Sequence, residues 1–340
     1  MKKEILITGG AGYIGSDIVK ELLKNDSYSA IIIIDNLSTG FKKTIEALQT
    51  IDYLSKIQFY KKDLVDIDSI ELVFKKHNIV EIIHLAAFSD VAQSVQNPIK
   101  YFHNNLISTI NLCKLSLKYK IKKFLFSSTA SVYGKSENEN NLIDEATPTN
   151  PVNPYGSSKL CGEKIIQDSF LNTSTKYIIL RYFNVSGSDD DYIIGELHSP
   201  ETHLIPKIAQ SILNDTNHTL CIYGDDYDTF DGTCIRDYIH IKDLTAIQIK
   251  ALTYLDKHHS DIFNCGYAKG YSVKQIVKIM KKISKSDFSV KIDKRREGDV
   301  PVLVADNKKI ISALNWTPLY NDLETICKST LQWQKKVFKR

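Results

Sequence analysis

The residue types best suited to chemistry converge on Asn153-Pro154-Tyr155-Gly156-Ser157-Ser158-Lys159. Asn is a helix-capping residue and Pro fits a first helical position, so a helix starting here sets Tyr155 and Lys159 one turn apart on one face. A phenol beside an ammonium is a candidate general base. Bringing a phenol from near ~10 to near 7 takes about three units, roughly 4 kcal/mol, which is more than one exposed charge supplies. A dry pocket and a second fixed cation are therefore required. An oxidised nicotinamide ring is such a cation, so the pair makes chemical sense only if the rest of the chain binds a dinucleotide. Without that, the stretch is an ordinary helix start carrying a solvated lysine.

The elements that would position the pair begin at the N-terminus. Glu4 to Thr8 reads as a strand, Gly9-Gly10-Ala11-Gly12-Tyr13-Ile14-Gly15 as a glycine turn, and Ile14, Ile18 and Leu22 fall at helical spacing. The turn fits both Gly-x-Gly-x-x-Gly and Gly-x-x-Gly-x-x-Gly, patterns in which glycines admit a pyrophosphate close to the backbone and a helix N-terminus supplies free N–H groups. Ala30 to Ile34 reads as a second buried strand, and Asp35 closes it 20 residues after Gly15. A carboxylate there accepts from the adenosine ribose and repels a 2′-phosphate, which selects NAD over NADP.

Strand-like runs recur at Ile57 to Tyr60, Val80 to Leu85, Lys123 to Ser127 and Tyr177 to Leu180, with a long helix from Asn97-Pro98 to about Tyr119. Six strands alternating with helices predict an α/β fold with a doubly wound parallel sheet. Ligands then sit at the carboxyl ends of the strands, where Asp63-Leu64, Leu85-Ala86-Ala87 and Ser127-Ser128-Thr129 fall. The polar stretch Lys135 to Asn150 reads as a surface loop. Beyond Asn184 the elements shorten, which predicts a dinucleotide domain over 1–184 and a smaller α/β substrate domain over 185–340. Ile235 to Ile241 and Ile262 to Asn264 are expected to return to the larger domain.

Composition narrows the function classes. A chain of 340 residues, 43% hydrophobic and 25% charged, is long enough for about two soluble globular domains. Its 44 basic and 40 acidic residues are interspersed, leaving no basic tract for nucleic acid or a membrane surface. Cys113, Cys161, Cys221, Cys234, Cys265 and Cys327 form no Cys-x-x-Cys pair, and no His cluster stands at ligand spacing. No metal site is therefore expected, and reduced thiols in the cytoplasm are. The first apolar run, Ile5-Leu6-Ile7, ends at glycines, and no later run approaches the ~20 residues of a membrane span.

Several motifs occur together and in order. They are the glycine turn, Asp35-Asn36-Leu37, Phe126-Ser127-Ser128-Thr129-Ala130-Ser131-Val132-Tyr133-Gly134, the Tyr155/Lys159 stretch and Leu180-Arg181-Tyr182-Phe183-Asn184. Asp231-Gly232-Thr233-Cys234-Ile235-Arg236-Asp237-Tyr238-Ile239-His240 and Arg295-Arg296-Glu297-Gly298-Asp299 follow. From end to end the chain resembles the UDP-hexose 4-epimerases of the extended short-chain dehydrogenase/reductase superfamily. The glycine turn and Tyr/Lys pair mark the superfamily, and the last two motifs mark the epimerase branch.

The resemblance implies a Rossmann-type domain and NAD-dependent interconversion of UDP-glucose and UDP-galactose through a transient 4-keto sugar. It makes Tyr155 the general base, Lys159 the cation that lowers its pKa and holds the nicotinamide ribose, and Thr129, where many relatives have Ser, the hydroxyl on the sugar O4. It assigns Gly9, Gly12, Tyr13, Ile14, Gly15, Asp35, Asn36, Asp63, Leu64, Ala86, Asn104, Lys159 and Tyr182 to the cofactor. Ser89 departs from relatives that carry Lys there, which implies weaker cofactor retention. Asn184, Leu204, Tyr223, Arg236, Arg296 and Asp299 are assigned to the nucleotide, since a planar guanidinium donates in pairs to a diphosphate. Leu303, four residues after Asp299, falls where Tyr accompanies restriction to plain hexoses, so the substrate range is expected to extend to UDP-N-acetylglucosamine and UDP-N-acetylgalactosamine. A homodimer is implied as well. Two other classes share part of the pattern. A nucleotide-sugar 4,6-dehydratase would follow Thr129 with an Asp-Glu pair, where this chain has Ala130-Ser131. A non-catalytic dinucleotide sensor would have no use for Thr129, Tyr155 and Lys159 together.

Overall fold

In a computed structural model of the chain, which describes residues 3–135, 142–213 and 219–338, the aliphatic runs line up as a seven-stranded, wholly parallel sheet. The order across it is Asp261–Cys265, Lys176–Tyr182, Lys123–Thr129, Ile79–His84, Lys3–Thr8, Tyr28–Asp35 and Ile57–Lys61. Unbroken runs such as Ile31 to Ile34 arise because both faces are covered, so alternate residues meet different helices and neither set meets water. Ile5, Ile7, Ile31 and Ile33 pack with Ile18 and Leu22 of helix Tyr13–Leu23 and with Leu244 and Ile247 of helix Ile241–Tyr254. Leu6, Ile32, Ile34 and Phe124 pack on the other face with Ile70, Leu112 and Ile166. Those three come from helices Ile67–Lys76, Pro98–Lys118 and Pro154–Phe170.

Strand order reverses between Lys3–Thr8 and Ile79–His84, which opens a crevice at their carboxyl ends. A buried polar chain locks the two strand ends together. The Thr8 hydroxyl lies 2.8 Å from His84 Nδ1 and accepts from the N–H groups of Leu85 and Ala86 at 3.2 and 3.3 Å, while His84 Nε2 meets the Thr109 hydroxyl at 3.2 Å. Burial and the nearby Lys159 push the His84 pKa down to about 3, so a neutral imidazole carries the chain.

Ile262 to Asn264 returns as expected and pairs beside Lys176–Tyr182 as a seventh strand. Ile235–His240, expected to return with it, does not join the sheet. That strand lies in a second sheet ordered Gly270–Ser272, Ile235–His240, Val302–Ala305 and Leu142–Ile143, with Asn184–Ser186 also pairing to it. What returns to the large sheet is the helix that follows, through Leu244, Ile247 and Ala251. Part of the expected surface loop is also structural. Residues 136–141 lie outside the described residues, but Leu142–Ile143 pairs with Val304 and Ala305, and Ile143 is fully buried. A parallel pair of strands, Leu220–Tyr223 and Val290–Asp293, completes the smaller sheets. Among the described residues no helix is long and apolar enough to cross a membrane.

Helix Pro154–Phe170 begins as its sequence dictates, with Pro at the first position and the Asn153 side chain accepting from the Gly156 N–H at 2.8 Å. One turn beyond Lys159, Glu163 is buried and takes a two-pronged bond from Arg181, Nε to Oε1 at 3.0 Å and NH2 to Oε2 at 2.7 Å, with the Ser128 hydroxyl also donating to Oε1. Removing one charge of such a pair strands the other. Glu163→Gln should therefore cost ~3–5 kcal/mol of stability, read as an earlier urea midpoint. A midpoint unchanged from wild type would mean that the pair does not anchor the helix.

Candidate active site

Every residue assigned to catalysis, cofactor or substrate borders a single cleft of about 760 Å³ at the carboxyl ends of the large sheet. At its cofactor end the glycine turn is closed to any side chain. A Cβ on Gly15 would stand 2.2 Å from the Gly9 carbonyl oxygen, and Gly9, at φ +74°, would put one 2.8 Å from the Ala86 nitrogen. Gly12 precedes the helix that begins at Tyr13, and no side chain caps that helix, so its first N–H groups and positive dipole end face the cleft uncompensated. Asp35 ends its strand with Oδ2 accepting from the Ala11 N–H at 3.0 Å and Oδ1 from Leu37 at 2.8 Å. Burial raises its pKa while those two bonds lower it, and each oxygen keeps a lone pair for a ribose hydroxyl. Asn36 donates to Asp63 at 3.0 Å, tying two of the loops together, and Leu64 and Ala86 offer apolar wall. Asn104 donates to Asn105 at 3.0 Å, and Tyr182, Ile14 and Ser89 complete this half. A donor-rich helix end, a carboxylate at the second strand and a cradle that admits only glycine fit a dinucleotide.

At the floor, Thr129 ends strand Lys123–Thr129, and its hydroxyl accepts from the Ser131 N–H at 3.2 Å and hydrogen-bonds the Tyr155 phenol. The Lys159 ammonium donates to the Ser127 carbonyl at 2.7 Å and lies 4.8 Å over the Phe126 ring. Burial pushes the Tyr155 phenol up to about 12, with the Thr129 bond pulling the other way. Burial also lowers Lys159 to about 7 against the opposing pull of Glu163. The protein's own groups thus leave the phenol protonated, in keeping with the expectation that one lysine does not suffice. Desolvation outweighs them, and bringing Tyr155 near 7 takes a further positive charge.

The opposite wall carries the arginines. Arg236 NH2 lies 3.7 Å from Asp299 Oδ1 and Arg296 Nε 3.9 Å from Asp299 Oδ2, so one carboxylate stands between two guanidinium groups and the wall keeps net positive charge. Arg296 also sits 4.5 Å over the Tyr223 ring. Arg295 turns away, donating to Asp226 at 2.7 Å and covering Tyr227 instead. Both acidic groups in the Asp231 to His240 motif are scaffold. Asp231 accepts from Thr233 and Ser272, and Asp237 accepts from the N–H groups of Tyr267 and Ala268, leaving Arg236 as the charged side chain facing the cleft. Asn184 and Leu204 border the same space, and Leu303 reaches it from a small cluster with Ala130, Val132, Phe183 and Val300.

One group beside this wall was missed in the sequence. Glu196, His198, Glu201 and His203 converge at the cleft margin. Burial opposes protonation of His203, but the Glu196 carboxylate at 2.5 Å and Glu201 beyond it outweigh burial and push the imidazole up to about 9. The run His198-x-x-Glu201-x-His203 was the available signal, and it lies outside any periodic element.

Lys159 generates a pH prediction. Its folded pKa of about 7 lies below the ordinary 10.5, so between those values the unfolded chain binds the proton more tightly and folding gains stability as pH rises. The stability of Lys159→Met relative to wild type should be greatest at or below pH 7 and fall as pH climbs toward 10.5. Paired chemical melts across that range measure it, and a pH-independent difference would refute the buried, depressed lysine.

Comparison with known proteins agrees with this geometry. The NAD dependent epimerase/dehydratase family matches residues 5–266. The chain is 41% identical over 333 residues to a UDP-glucose 4-epimerase of Halalkalibacterium halodurans, covering 98% of this chain and 96% of that protein. A Bifidobacterium longum UDP-glucose 4-epimerase solved with NAD+ and UDP superposes with a TM-score of 0.92 at 36% identity, covering 98% of each chain. The UDP-Glc/GlcNAc 4-epimerase of Campylobacter jejuni superposes at 0.83 with 43% identity, covering 98% of this chain and 99% of that one. With the glycine cradle, the Tyr155/Lys159 pair and a family match over most of its length, this chain belongs to the NAD dependent epimerase/dehydratase family.

Proposed function

We propose that the protein is an NAD-dependent 4-epimerase that interconverts UDP-glucose and UDP-galactose through a transient 4-keto sugar. The observation that carries this reading is the placement of Thr129, Tyr155 and Lys159 between a dinucleotide cradle and the Arg236/Arg296 wall of one cleft. Gly9 to Gly15, Asp35, Asn36, Asp63 and Asn104 hold the cofactor, with Lys159 at its nicotinamide ribose. When bound, NAD supplies the acceptance and return of the hydride at the sugar C4, together with the fixed positive charge that the Tyr155 phenol lacks. The ionised Tyr155 oxygen takes the proton of the sugar 4-hydroxyl, and the Thr129 hydroxyl hydrogen-bonds the sugar O4. Arg236 and Arg296 grip the diphosphate, Tyr223 lies against the uracil, Asp299 binds its ribose, and Asn184 and Leu204 line the rest. The hexose itself is held loosely, which lets the keto sugar turn about its phosphate linkage before Tyr155 returns the proton. Dehydration finds no support, since Ala130 and Ser131 after Thr129 carry neither a carboxyl acid nor a base. A sensor would have no reason to bury a lysine beside a tyrosine. A cytoplasmic homodimer is part of this reading, and light scattering checks the oligomeric state.

Incubated with UDP-galactose and no added cofactor, the purified protein should form UDP-glucose without releasing NADH. Formation of a 4-keto-6-deoxy sugar would replace this reading with a dehydratase. Tyr155→Phe should lower turnover by ~10²–10⁴ while UDP binding, followed by calorimetry, is retained. Near-normal turnover in that variant would remove Tyr155 from the proton path.

Substrate range turns on Leu303. Leucine leaves room beside the sugar C2 that a tyrosine ring would fill, so we extend the proposal to the 2-acetamido pair. An overpacked contact costs ~1–3 kcal/mol, so Leu303→Tyr should shift the ratio of kcat/KM for acetamido over plain hexose by roughly 5-fold to more than 100-fold toward the plain sugars. An unchanged ratio would free Leu303 of that role and leave the epimerase reading intact.

A further inference from the structure

Residues 195–203 run without helix or long strand into helix Leu204–Leu213. Along that segment Glu196, His198, Glu201 and His203 each bring one ligand atom to within 4.8 Å of all the others. The Glu196 and Glu201 side chains are 1% and 2% exposed, and two carboxylates so far from water repel one another and pay a desolvation cost. Their hydrogen bonds account for only half of their oxygens. Glu196 Oε1 meets His203 Nδ1 at 2.5 Å, and Glu201 Oε1 accepts from the N–H groups of Thr202 and His203 at 2.8 and 2.9 Å. The Oε2 atoms of both carboxylates and Nδ1 of His198 are buried with no hydrogen-bond partner. Buried polar atoms are rarely left so, and an unpaired carboxylate oxygen costs more than most.

We propose that these four side chains form a binding site for one divalent transition-metal cation of the zinc class. His198 Nδ1 stands 3.5 Å from Glu196 Oε1 and 3.5 Å from Glu201 Oε1. Two donors at ~2.1 Å from one tetrahedral ion stand about 3.4 Å apart, so those separations already match. His203 Nδ1 is 3.8 Å from Glu201 Oε1, and its shorter contact with Glu196 opens as the ion takes the place of the shared proton. Charge supports the same occupant. Two carboxylates with two neutral imidazoles sum to minus two, which a divalent cation cancels and a single proton on His203 does not. Two nitrogen and two oxygen donors favour zinc or its neighbours over magnesium or calcium, which take oxygen throughout.

The site is held from behind. The Glu196 carbonyl accepts from Trp333 Nε1 at 2.8 Å and Gln334 Nε2 at 3.1 Å, both on helix Leu323–Phe338. On the other side, His203 directly precedes Leu204, which borders the cleft. The ion therefore ties the C-terminal helix to the start of the helix that lines the sugar side, a positioning role separate from proton or hydride transfer.

The full-length protein, stripped with EDTA and dialysed, is titrated with zinc chloride by calorimetry and then examined by X-ray absorption. One equivalent of zinc should bind per chain, with a shell of nitrogen and oxygen that includes two imidazoles and no sulfur, and the thermal midpoint should rise. Glu201→Gln and His198→Asn should each weaken binding tenfold or more. Failure of the wild type to take up one equivalent overturns the proposal, as does a sulfur shell, which would put the ion at cysteines. Undiminished binding in both variants overturns it too, and because the spectrum is taken on wild type, a variant that fails to fold leaves the test intact.

Discussion

The Glu163 carboxylate is the point on which the catalytic arrangement rests. It lies one turn beyond Lys159, takes both prongs of Arg181 and the Ser128 hydroxyl, and its negative charge keeps Lys159 from losing its proton still more readily. From Arg181 the chain of bonds continues. Arg181 NH1 donates to the Tyr133 hydroxyl at 2.8 Å, Tyr133 donates to Asn264 at 2.7 Å, and Asn264 donates to the Ile143 carbonyl at 2.8 Å. One buried network thus runs from the helix bearing Tyr155, through the seventh strand of the large sheet, to the edge of the small one. A low dielectric makes each of these bonds strong and makes any gap in them costly, so the network fixes the relative place of the two walls of the cleft.

The same dryness sets the chemistry. It drives the Tyr155 phenol up to about 12 and Lys159 down to about 7, so each group is pushed toward its neutral form. Neighbouring side chains that titrate can only answer such a push in part, because each is itself desolvated. A permanent cation does not titrate away, and inside a dry cleft its field is weakly screened. If Tyr155 is the proposed base, a bound pyridinium ties the phenol's ionisation to occupancy of the cofactor site, and an empty cradle leaves a tyrosine with little tendency to take a proton.

The central strands and the glycine turn were legible in sequence because their physics is local. A run such as Ile31 to Ile34 must be covered on both faces, and Gly9 and Gly15 leave no room for a side chain. The helix carrying Tyr155 was legible for the same reason, since its cap and first proline are adjacent in the chain. Less legible were features decided by distant partners. Leu142–Ile143 is too short to announce itself without Val304 and Ala305 beside it. Ile235–His240 looks like any buried strand, and only its pairing with Val302 and Leu303 assigns it to the small sheet. Arg295 and Arg296 are adjacent in sequence, yet one covers Tyr227 and the other Tyr223. The Glu196 to His203 group follows no regular ligand spacing, and its carboxylates become informative only through their burial.

Small-sheet pairing also explains how grip and tolerance can coexist. Arg236 and Leu303 are direct partners in the parallel register of Ile235–His240 and Val302–Ala305, so their side chains leave the sheet on the same face. The guanidinium reaches the wall proposed to hold the diphosphate, and the leucine reaches the space proposed for the sugar. Arg236 is steadied by its own bond to the Ile235 carbonyl at 2.9 Å, whereas Leu303 makes only apolar contacts. Exchanging the leucine for another side chain therefore alters the volume of the space proposed for the hexose without removing a bond that holds Arg236. With the two proposed roles on paired strands, the sugar admitted would vary while the hold on the nucleotide stayed unchanged.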